Sequence, residues 1–192
     1  MNELDCIIAA RTVLKDPNKY VILDTETTGL YPCEIVQIAI IDLSGKTLLN
    51  TLVKPTRKIE SGTAAIHGIT EKTVSNAPTF KEIYEQVKSI INNKTVLIYN
   101  TGFDTPTLAL CCDVYGLSKF EYQELCIMHL YSEFVGEWND YFGNNKWQKL
   151  PGGDHSAVGD CLATLEVIKY IAKTPADVEK IAARELEDIN LF

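Results

Sequence analysis

Two acidic residues stand two positions apart where a hydrophobic run becomes polar. Asp24 and Glu26 occur in the segment VILDTETTGL. Positions i and i+2 of a strand point to the same face of a sheet, with Cα atoms about 6.6 Å apart. Two carboxylates held in this way repel each other unless a cation lies between them, and their hard oxygen atoms suit Mg²⁺ or Mn²⁺. The alternative is that Asp24 caps a turn while Glu26 is solvated.

Two further aspartates favour the metal-binding interpretation. Asp104 follows a second apolar run, in the segment TVLIYNTGFDTP, directly before a predicted helix. Asp160 falls in the first turns of a helix predicted to open near Ser156, where the helix dipole stabilises a carboxylate by about 0.3–1 kcal/mol. The sequence therefore supplies four candidate metal ligands: Asp24, Glu26, Asp104 and Asp160.

A histidine precedes the last of these aspartates by five residues. If His155 and Asp160 were both inside one helix, they would point about 140° apart and could not share a target. We therefore expect His155 on the loop that follows Pro151-Gly152-Gly153-Asp154, which its two glycines would make mobile. A histidine on such a loop, beside a metal centre, can deprotonate a water molecule. The alternatives are a surface histidine or a feature of the helix N-terminus.

Three other segments contain residue types that bind nucleic acids or ligands. His67, in the predicted turn Ile66-His67-Gly68-Ile69-Thr70, either contacts a substrate or has its ring satisfied by the backbone. Residues 138–149 (WNDYFGNNKWQK) combine aromatic residues with Lys146 and Lys149. Aromatic side chains stack on bases for about 1–3 kcal/mol each, and lysines contact phosphates; a rigid surface loop is the alternative. A small basic cluster is interpreted as an ordinary solvated turn: Lys54, Arg57 and Lys58.

The pattern of apolar residues predicts the elements that position these side chains. Strands are predicted over residues 21–24, 34–43, 46–53 and 95–99, and within 122–128. Helices are predicted over residues 2–15 and 79–91, from Thr105-Pro106 onward, from about 156 to 173 and from about 175 to 189. Three strands followed by alternating helices and strands are typical of an α/β domain with a mixed sheet.

Length and composition indicate one globular domain. The chain has 192 residues, of which 46% are hydrophobic and 23% charged. We predict a helical extension over residues 1–18 and a single domain over residues 19–192, including the C-terminal helix. The six cysteines form no CxxC pair, so we interpret them as reduced core residues.

The net charge of −8 argues against broad electrostatic affinity for phosphate backbones. It does not argue against a site that meets a backbone through bound metal ions, because those ions supply positive charge of their own. No apolar run approaches the roughly 18 residues of a membrane span, and the N-terminus lacks the features of a secretory signal. We therefore expect a cytoplasmic protein with no membrane partner.

Three motifs together resemble the DEDDh branch of the DnaQ-like 3′–5′ exonucleases. The first is Asp24-Thr25-Glu26-Thr27-Thr28-Gly29-Leu30, the second runs from Asn100 through Phe103-Asp104, and the third is His155-Ser156-Ala157-Val158-Gly159-Asp160. Residues 66–70 also resemble a recurrent element of that family. The resemblance covers about residues 19–173. One departure is Tyr99, which stands where the family often has a histidine; residues 1–18 and 136–150 have no counterpart in the motifs.

The resemblance implies a ribonuclease H-like fold, with a five-stranded mixed sheet flanked by helices, and a metal-dependent 3′–5′ exonuclease. By similarity, the four carboxylates hold two Mg²⁺ or Mn²⁺ ions about 4 Å apart. His155 takes a proton from the attacking water, and the product is a nucleoside 5′-monophosphate. The expected catalytic residues are therefore Asp24, Glu26, Asp104, His155 and Asp160.

The same resemblance implies a substrate-binding set: Thr25, Thr27, Thr28, Gly29, Leu30, His67, Asn100 and Phe103. The expected partner is the 3′ end of a nucleic acid, with DNA favoured over RNA, and a polymerase or another replication or repair protein is a further candidate. Two alternatives stay open. One is an exoribonuclease that trims RNA, and the other is a non-catalytic module that binds nucleic acid.

Overall fold

The computed structural model describes residues 1–176. Its helices are α1 (Glu3–Lys15), α2 (Ser61–His67), α3 (Glu71–Val74), α4 (Phe80–Ile91), α5 (Thr101–Val114), α6 (Ile127–Val135) and α7 (Ala157–Lys173). Its strands are β1 (Tyr20–Thr27), β2 (Ile35–Ile41), β3 (Thr47–Leu52), β4 (Thr95–Ile98), β5 (Gln123–Cys126), β6 (Trp138–Asn139) and β7 (Asn144–Asn145). The second C-terminal helix, predicted from about residue 175 to 189, lies outside the described residues.

Five strands form one mixed sheet in the order β3-β2-β1-β4-β5. Strand β1 pairs antiparallel with β2 and parallel with β4, while β3 is antiparallel to β2 and β5 is parallel to β4. Because β1 and β4 run parallel, their C-terminal ends lie at the same edge of the sheet. The predicted five-stranded mixed sheet flanked by helices is confirmed.

Helices cover both faces of the central strand β1. Tyr20 and Ile22 belong to a core that includes residues of α1, α6 and α7, whereas Val21 and Leu23 belong to a core that includes residues of α4 and α5. Successive side chains of a strand point to opposite faces. A strand buried on both faces is therefore hydrophobic throughout, which explains the uninterrupted apolar run before Asp24.

Helix α5 begins at Thr101, four residues before the predicted start at Thr105. The Asn100 carbonyl oxygen accepts hydrogen bonds from the N–H groups of Phe103 (3.0 Å) and Asp104 (3.3 Å), so the helix opens directly after β4. Pro106 lies inside the helix, where it removes the hydrogen bond to the Gly102 carbonyl. Gly102 is exposed, so solvent can satisfy that carbonyl. As a result, Asp104 lies in the first turn of α5.

Several short elements lie where the sequence predicted turns or made no prediction. The segment predicted as turn-rich contains α2 and α3, and α2 ends at Gly68, which has a φ of 74°. Helix α6 and the β6–β7 hairpin were also not predicted. These elements have between two and nine residues, too few for hydrophobic periodicity to identify.

The N-terminal helix α1 packs on the same face of the sheet as α7. Cys6, Ile7, Ala10 and Val13 are buried in the core that includes α7, and the Arg11 guanidinium donates hydrogen bonds to carbonyl oxygens at the end of α7, at 2.9 and 3.0 Å. The predicted extension is thus tied to the sheet through α7. Among the described residues, no helix is both long and apolar enough to cross a membrane.

Candidate active site

The C-terminal end of β1 carries the first two candidate ligands. Asp24 lies opposite Ala39 and Glu26 opposite Gln37 of β2, and the register shifts by a bulge directly after Glu26. Both side chains are half-buried. Because they are two positions apart on the strand, they point to the same face, as the sequence predicts.

Helices α5 and α7 bring the other two aspartates to this edge of the sheet. Carboxylate oxygens of Asp24, Glu26 and Asp160 all lie within 4.8 Å of one another. Asp104 is buried, and its Oδ1 accepts a 2.6 Å hydrogen bond from the Thr25 hydroxyl. The Cys161 thiol lies 3.7 Å from the Ile22 carbonyl oxygen and 3.6 Å from that of Ala39, so the start of α7 packs directly against β1 and β2.

Burial and mutual repulsion raise the pKa values of three of these carboxyls. Burial, followed by the charges of Asp104, Asp160 and Glu26, raises the pKa of Asp24 well above its usual value. Burial, followed by the charge of Asp160, raises the pKa of Glu26 to about 8. Burial raises the pKa of Asp104 to about 7, against the opposing effect of the hydrogen bond from Thr25. Without a cation, these groups therefore hold protons that the unfolded chain would release.

The donor set fits a divalent cation. The ion pairs found among residues 1–176 involve none of these four carboxylates. A cluster of acidic oxygens without a protein ion-pair partner is the environment that hard cations such as Mg²⁺ and Mn²⁺ prefer. These four side chains are thus the residues that could hold metal ions at this edge of the sheet.

His155 lies outside α7, as its offset from Asp160 predicts. It is exposed, has a φ of 59°, and lines the same cleft as the carboxylates. The N–H groups of Asp154 and His155 donate to Asp160 Oδ1 at 2.9 and 3.3 Å, and Asp154 accepts hydrogen bonds from the backbone N–H and hydroxyl of Ser156. The loop is therefore tied to the acidic cluster in this structure, and its predicted mobility stays a prediction.

The three threonines of the first motif form hydrogen bonds within the protein. Thr25 donates to Asp104, Thr27 donates to the Gly29 carbonyl oxygen at 2.8 Å, and the Thr28 hydroxyl accepts from the N–H of Glu34 at 3.0 Å. All three are buried. Their hydroxyls thus shape the end of β1 and the turn that follows it.

The residues that follow these threonines differ sharply in exposure. Leu30 is 82% exposed and Tyr31 is 53% exposed, so two large apolar side chains stand in solvent beside the cleft. Gly29 is confined, because a Cβ atom there would lie 2.5 Å from the carboxyl carbon of Glu60. Its lack of a side chain therefore accommodates Glu60, and its expected contact with a substrate stays a prediction.

Both ring nitrogens of His67 are engaged by the backbone. The Nδ1 atom accepts a 2.9 Å hydrogen bond from the N–H of Ile69, so Nε2 carries the proton and donates to the Thr27 carbonyl oxygen at 3.1 Å. This arrangement joins the end of α2 to the end of β1. It corresponds to the backbone-satisfied alternative, although a substrate contact of His67 stays untested.

The four carboxylates and His155 line an open cleft of about 740 Å³. Three predicted substrate-binding residues line it as well: Thr25, Asn100 and Phe103. Thr27, Thr28, Gly29 and Leu30 follow at the end of β1, next to Glu26. The structure therefore brings the three sequence motifs together at one edge of the sheet.

Comparison with known proteins identifies the family. A family model described as Exonuclease (RNase_T) matches residues 21–168, which span all three motifs. The chain belongs to this exonuclease family. Its predicted membership of the DEDDh-type, DnaQ-like group and its ribonuclease H-like fold are confirmed, and it is a nuclease.

Individual relatives of this exonuclease are found among phage and bacterial proteins. Uncharacterized exonuclease CP81 of Escherichia phage 186 is 40% identical over 171 residues, which cover 80% of this chain and 88% of that protein. DNA polymerase III subunit epsilon of Buchnera aphidicola subsp. Schizaphis graminum (strain Sg) is 32% identical over 102 residues. That match covers 47% of this chain and only 44% of the epsilon subunit.

A solved structure of similar fold contains nucleic acid. Exonuclease X in complex with 5′ overhanging duplex DNA superposes with a TM-score of 0.56 and 26% identity, over 82% of this chain and 95% of that one.

Two sets of contacts near the exonuclease cleft could not be predicted from the sequence. Residues 147–150 line the cleft, and all but Leu150 belong to residues 138–149, which the sequence indicates as a candidate nucleic-acid contact. Their place at the cleft depends on the Tyr99 hydroxyl, which donates a 2.9 Å hydrogen bond to the Gln148 carbonyl oxygen. Tyr99 stands where the family often has a histidine, but the sequence does not indicate which group its hydroxyl contacts.

The second set of contacts holds the turn after β1 through hydrogen bonds and an ion pair. Buried Glu34 accepts hydrogen bonds from the backbone N–H and hydroxyl of Thr56. Arg57 lies 3.5 Å from Glu34 and donates to the Pro32 carbonyl oxygen. The basic cluster predicted as a solvated turn thus includes one residue, Arg57, that holds this turn in place, and no signal in the sequence distinguished it from its neighbours.

Proposed function

We propose that this exonuclease removes nucleoside 5′-monophosphates one at a time from the 3′ end of DNA, most readily from an unpaired end. One observation carries the proposal: a chain of this family brings the acidic residues of all three of its motifs to one cleft, where three of the carboxylates have oxygens within 4.8 Å of one another. A phosphodiester is an anion, and an acidic cleft repels it unless metal ions reverse the local charge.

We propose that Asp24, Glu26, Asp104 and Asp160 hold two divalent ions, Mg²⁺ or Mn²⁺. When bound, such ions activate a water molecule and stabilise the oxygen atoms of an in-line displacement at phosphorus. Thr25 contributes indirectly, because its hydroxyl fixes one oxygen of Asp104. The sequence motifs and the electrostatics of the cluster both support this proposed metal requirement.

His155 is the proposed general base. His155 lines the cleft, and its backbone N–H donates a hydrogen bond to the Asp160 carboxylate, so the histidine lies beside the acidic cluster. In this role the imidazole accepts the proton of the attacking water. Its exposure allows that proton to pass to solvent afterwards.

Substrate contacts are proposed on two sides of the cleft. Leu30 is exposed beside the end of β1, where it can pack against a terminal base, and Asn100 and Phe103 line the cleft itself. We assign Thr25, Thr27 and Thr28 to positioning, because their hydroxyls are used within the protein. His67 is assigned to positioning for the same reason.

The preference for DNA is supported by the relatives and their names. Two of them are a phage exonuclease and a subunit of DNA polymerase III, and the similar solved structure holds duplex DNA. RNA trimming is the competing activity, and it depends on whether the cleft accepts a 2′-hydroxyl. A polymerase partner and a cytoplasmic location stay predictions, since the match to the epsilon subunit covers less than half of that protein.

End-labelled strands test the proposal. With Mg²⁺, a 5′-labelled DNA strand should shorten in single-nucleotide steps, a 3′-labelled strand should release its label at once as a mononucleotide, and EDTA should abolish both. An RNA strand of the same sequence gives the rate that is compared with the rate on DNA.

A variant of the metal site tests the same proposal. Asp24→Asn should reduce the rate of DNA hydrolysis by at least about 10²-fold because it removes one charge from the metal site, whereas the exposed control Asp16→Asn should retain the wild-type rate. Shortening from the 5′ end, or full activity of Asp24→Asn, would contradict the proposal.

A further inference from the structure

A cluster of exposed aromatic side chains lies beside the active-site cleft. We call residues 138–149 the aromatic hairpin; it contains β6, β7 and the arm that leads to the His155 loop. Four of its aromatic residues are more than half exposed: Trp138 (55%), Tyr141 (88%), Phe142 (70%) and Trp147 (71%). So many large apolar groups on one exposed segment mark an interaction surface.

The backbone of the aromatic hairpin is held by internal hydrogen bonds. The Asn139 side chain accepts from the N–H groups of Tyr141 and Phe142, at 3.0 and 3.3 Å. Gly143 donates to the Asn139 carbonyl oxygen at 2.9 Å, and Lys146 donates to the carbonyl oxygen of Glu137 at 2.7 Å. Because these hydrogen bonds fix the turn, its aromatic rings are exposed to solvent without further ordering of the backbone.

The hairpin forms a cavity that shares one lining residue, Trp147, with the cleft. Phe142 and Trp147 line a space of about 370 Å³, together with Asn139, Asn144 and Lys146. Trp147 also lines the cleft that holds the carboxylates. The Tyr99 hydroxyl binds the carbonyl oxygen of Gln148, the residue after Trp147, and so fixes this arm to the end of β4.

The negative charge of the molecule weakens the electrostatic interactions that could bind a nucleic-acid strand. The net charge is −8, and Lys146 is paired with Glu137 at 2.8 Å. Lys149 lines the cleft and can contact a phosphate, but one such contact supplies little affinity compared with a basic face. Stacking on aromatic rings requires no positive charge, and every unpaired base offers a ring face to stack on.

We propose that the aromatic hairpin binds unpaired bases of the strand whose end lies in the cleft, with Phe142 and Trp147 as stacking residues. The inference rests on the proposed function, because it takes the strand in the cleft to be nucleic acid. In a duplex the internal base faces are covered by neighbouring base pairs, so the hairpin selects single-stranded ends. Tyr99 is the positioning residue that holds the hairpin at the cleft.

Tryptophan fluorescence tests this binding without any hydrolysis. The chain has two tryptophans, and both lie in the aromatic hairpin, so its intrinsic emission reports on that segment. With Mg²⁺ present, so that the cleft does not repel the strand, a short phosphorothioate oligothymidylate that resists hydrolysis should quench the emission, and the same strand in a blunt duplex should quench it weakly. Phe142→Ala should raise the Kd for the single strand about tenfold. Tyr170→Ala, which removes an exposed aromatic ring of α7, should leave that Kd unchanged.

The outcomes separate the hairpin from the catalytic proposal. Absence of quenching, equal quenching by the duplex, or equal effects of the two variants would overturn the hairpin inference. So would a Phe142→Ala variant that changes only the oligomeric state seen by sedimentation, since the hairpin would then bind a second copy of the chain. Metal-dependent hydrolysis without quenching overturns the hairpin inference alone. Quenching without hydrolysis overturns the proposed exonuclease chemistry and retains the hairpin.

Discussion

The Asp160 carboxylate lies in the acidic cluster and also binds the backbone of the His155 loop. One of its oxygens lies in the cluster with Asp24 and Glu26, and Oδ1 accepts the backbone N–H groups of Asp154 and His155. A carboxylate that binds a cation and also holds a loop couples the position of that loop to the metal site. The His155 loop is therefore expected to depend on the charge state of the cluster.

His155→Ala should lower kcat for a DNA strand by about 10²–10⁴, the usual effect of removing a general base. Binding of Mn²⁺, measured by calorimetry, should change little, because the carboxylates remain. His129→Ala provides the matched control, since His129 is exposed on α6. An equal loss in both variants, or a His155→Ala enzyme as fast as the wild type, would remove His155 from the proposed chemistry.

At the scale of elements, the site depends on two parallel strands and two helix starts. Because β1 and β4 are parallel neighbours, the helix that follows β4 begins next to the end of β1, which places Asp104 beside Thr25. Helix α7 crosses the same strand through Cys161 and delivers Asp160. Displacing any of these elements would therefore separate the carboxylates.

The N-terminal helix is expected to unfold together with the rest of the domain. Ile7 is buried in the core that α1 shares with α6 and α7, so Ile7→Ala should lower the free energy of unfolding by about 2–5 kcal/mol in a single urea transition. Ile66→Ala, at an exposed position of α2, should change it by less than about 0.5 kcal/mol. Two separate transitions would show instead that residues 1–18 form an independent extension.

For the whole molecule, ionisation of the acidic cluster is unfavourable in the folded state until a cation binds. The raised pKa values of Asp24, Glu26 and Asp104 mean that the folded, metal-free protein binds more protons than the unfolded chain near neutral pH. Stability then falls as pH rises. A bound cation replaces those protons and reverses the trend.

This linkage predicts a pH-dependent effect of metal on stability. In EDTA the Tm should decrease as pH rises from about 5 to about 8, the range between ordinary carboxyl pKa values and the raised pKa of Glu26. Mg²⁺ or Mn²⁺ should raise the Tm more at pH 8 than at pH 6. Differential scanning calorimetry provides the measurement, and Glu26→Gln should flatten the metal-free profile. A metal-free Tm that rises over this range would contradict the assignment.

The family, the mixed sheet and the four candidate carboxylates could all be predicted from the sequence, because these depend on local patterns. Hydrophobic runs ending in DTE and in NTGFD mark strand ends, and the offset of His155 from Asp160 excludes a shared helix. Each of these signals lies within a few residues and does not depend on the segments that pack around it. Short elements such as α2 and α6 lacked enough turns to be recognised in this way.

Tertiary structure alone decided how the surrounding polar groups are used. Thr25, Thr27 and His67, which stay predicted substrate contacts, each have a hydrogen-bond partner within the fold. Such partners lie up to 79 positions away in sequence, so no local pattern records them. The same holds for the contact of Tyr99 with Gln148, which places the aromatic hairpin at the cleft. The candidate residues for the chemistry could thus be recognised in the chain, whereas their orientation depends on contacts between distant segments.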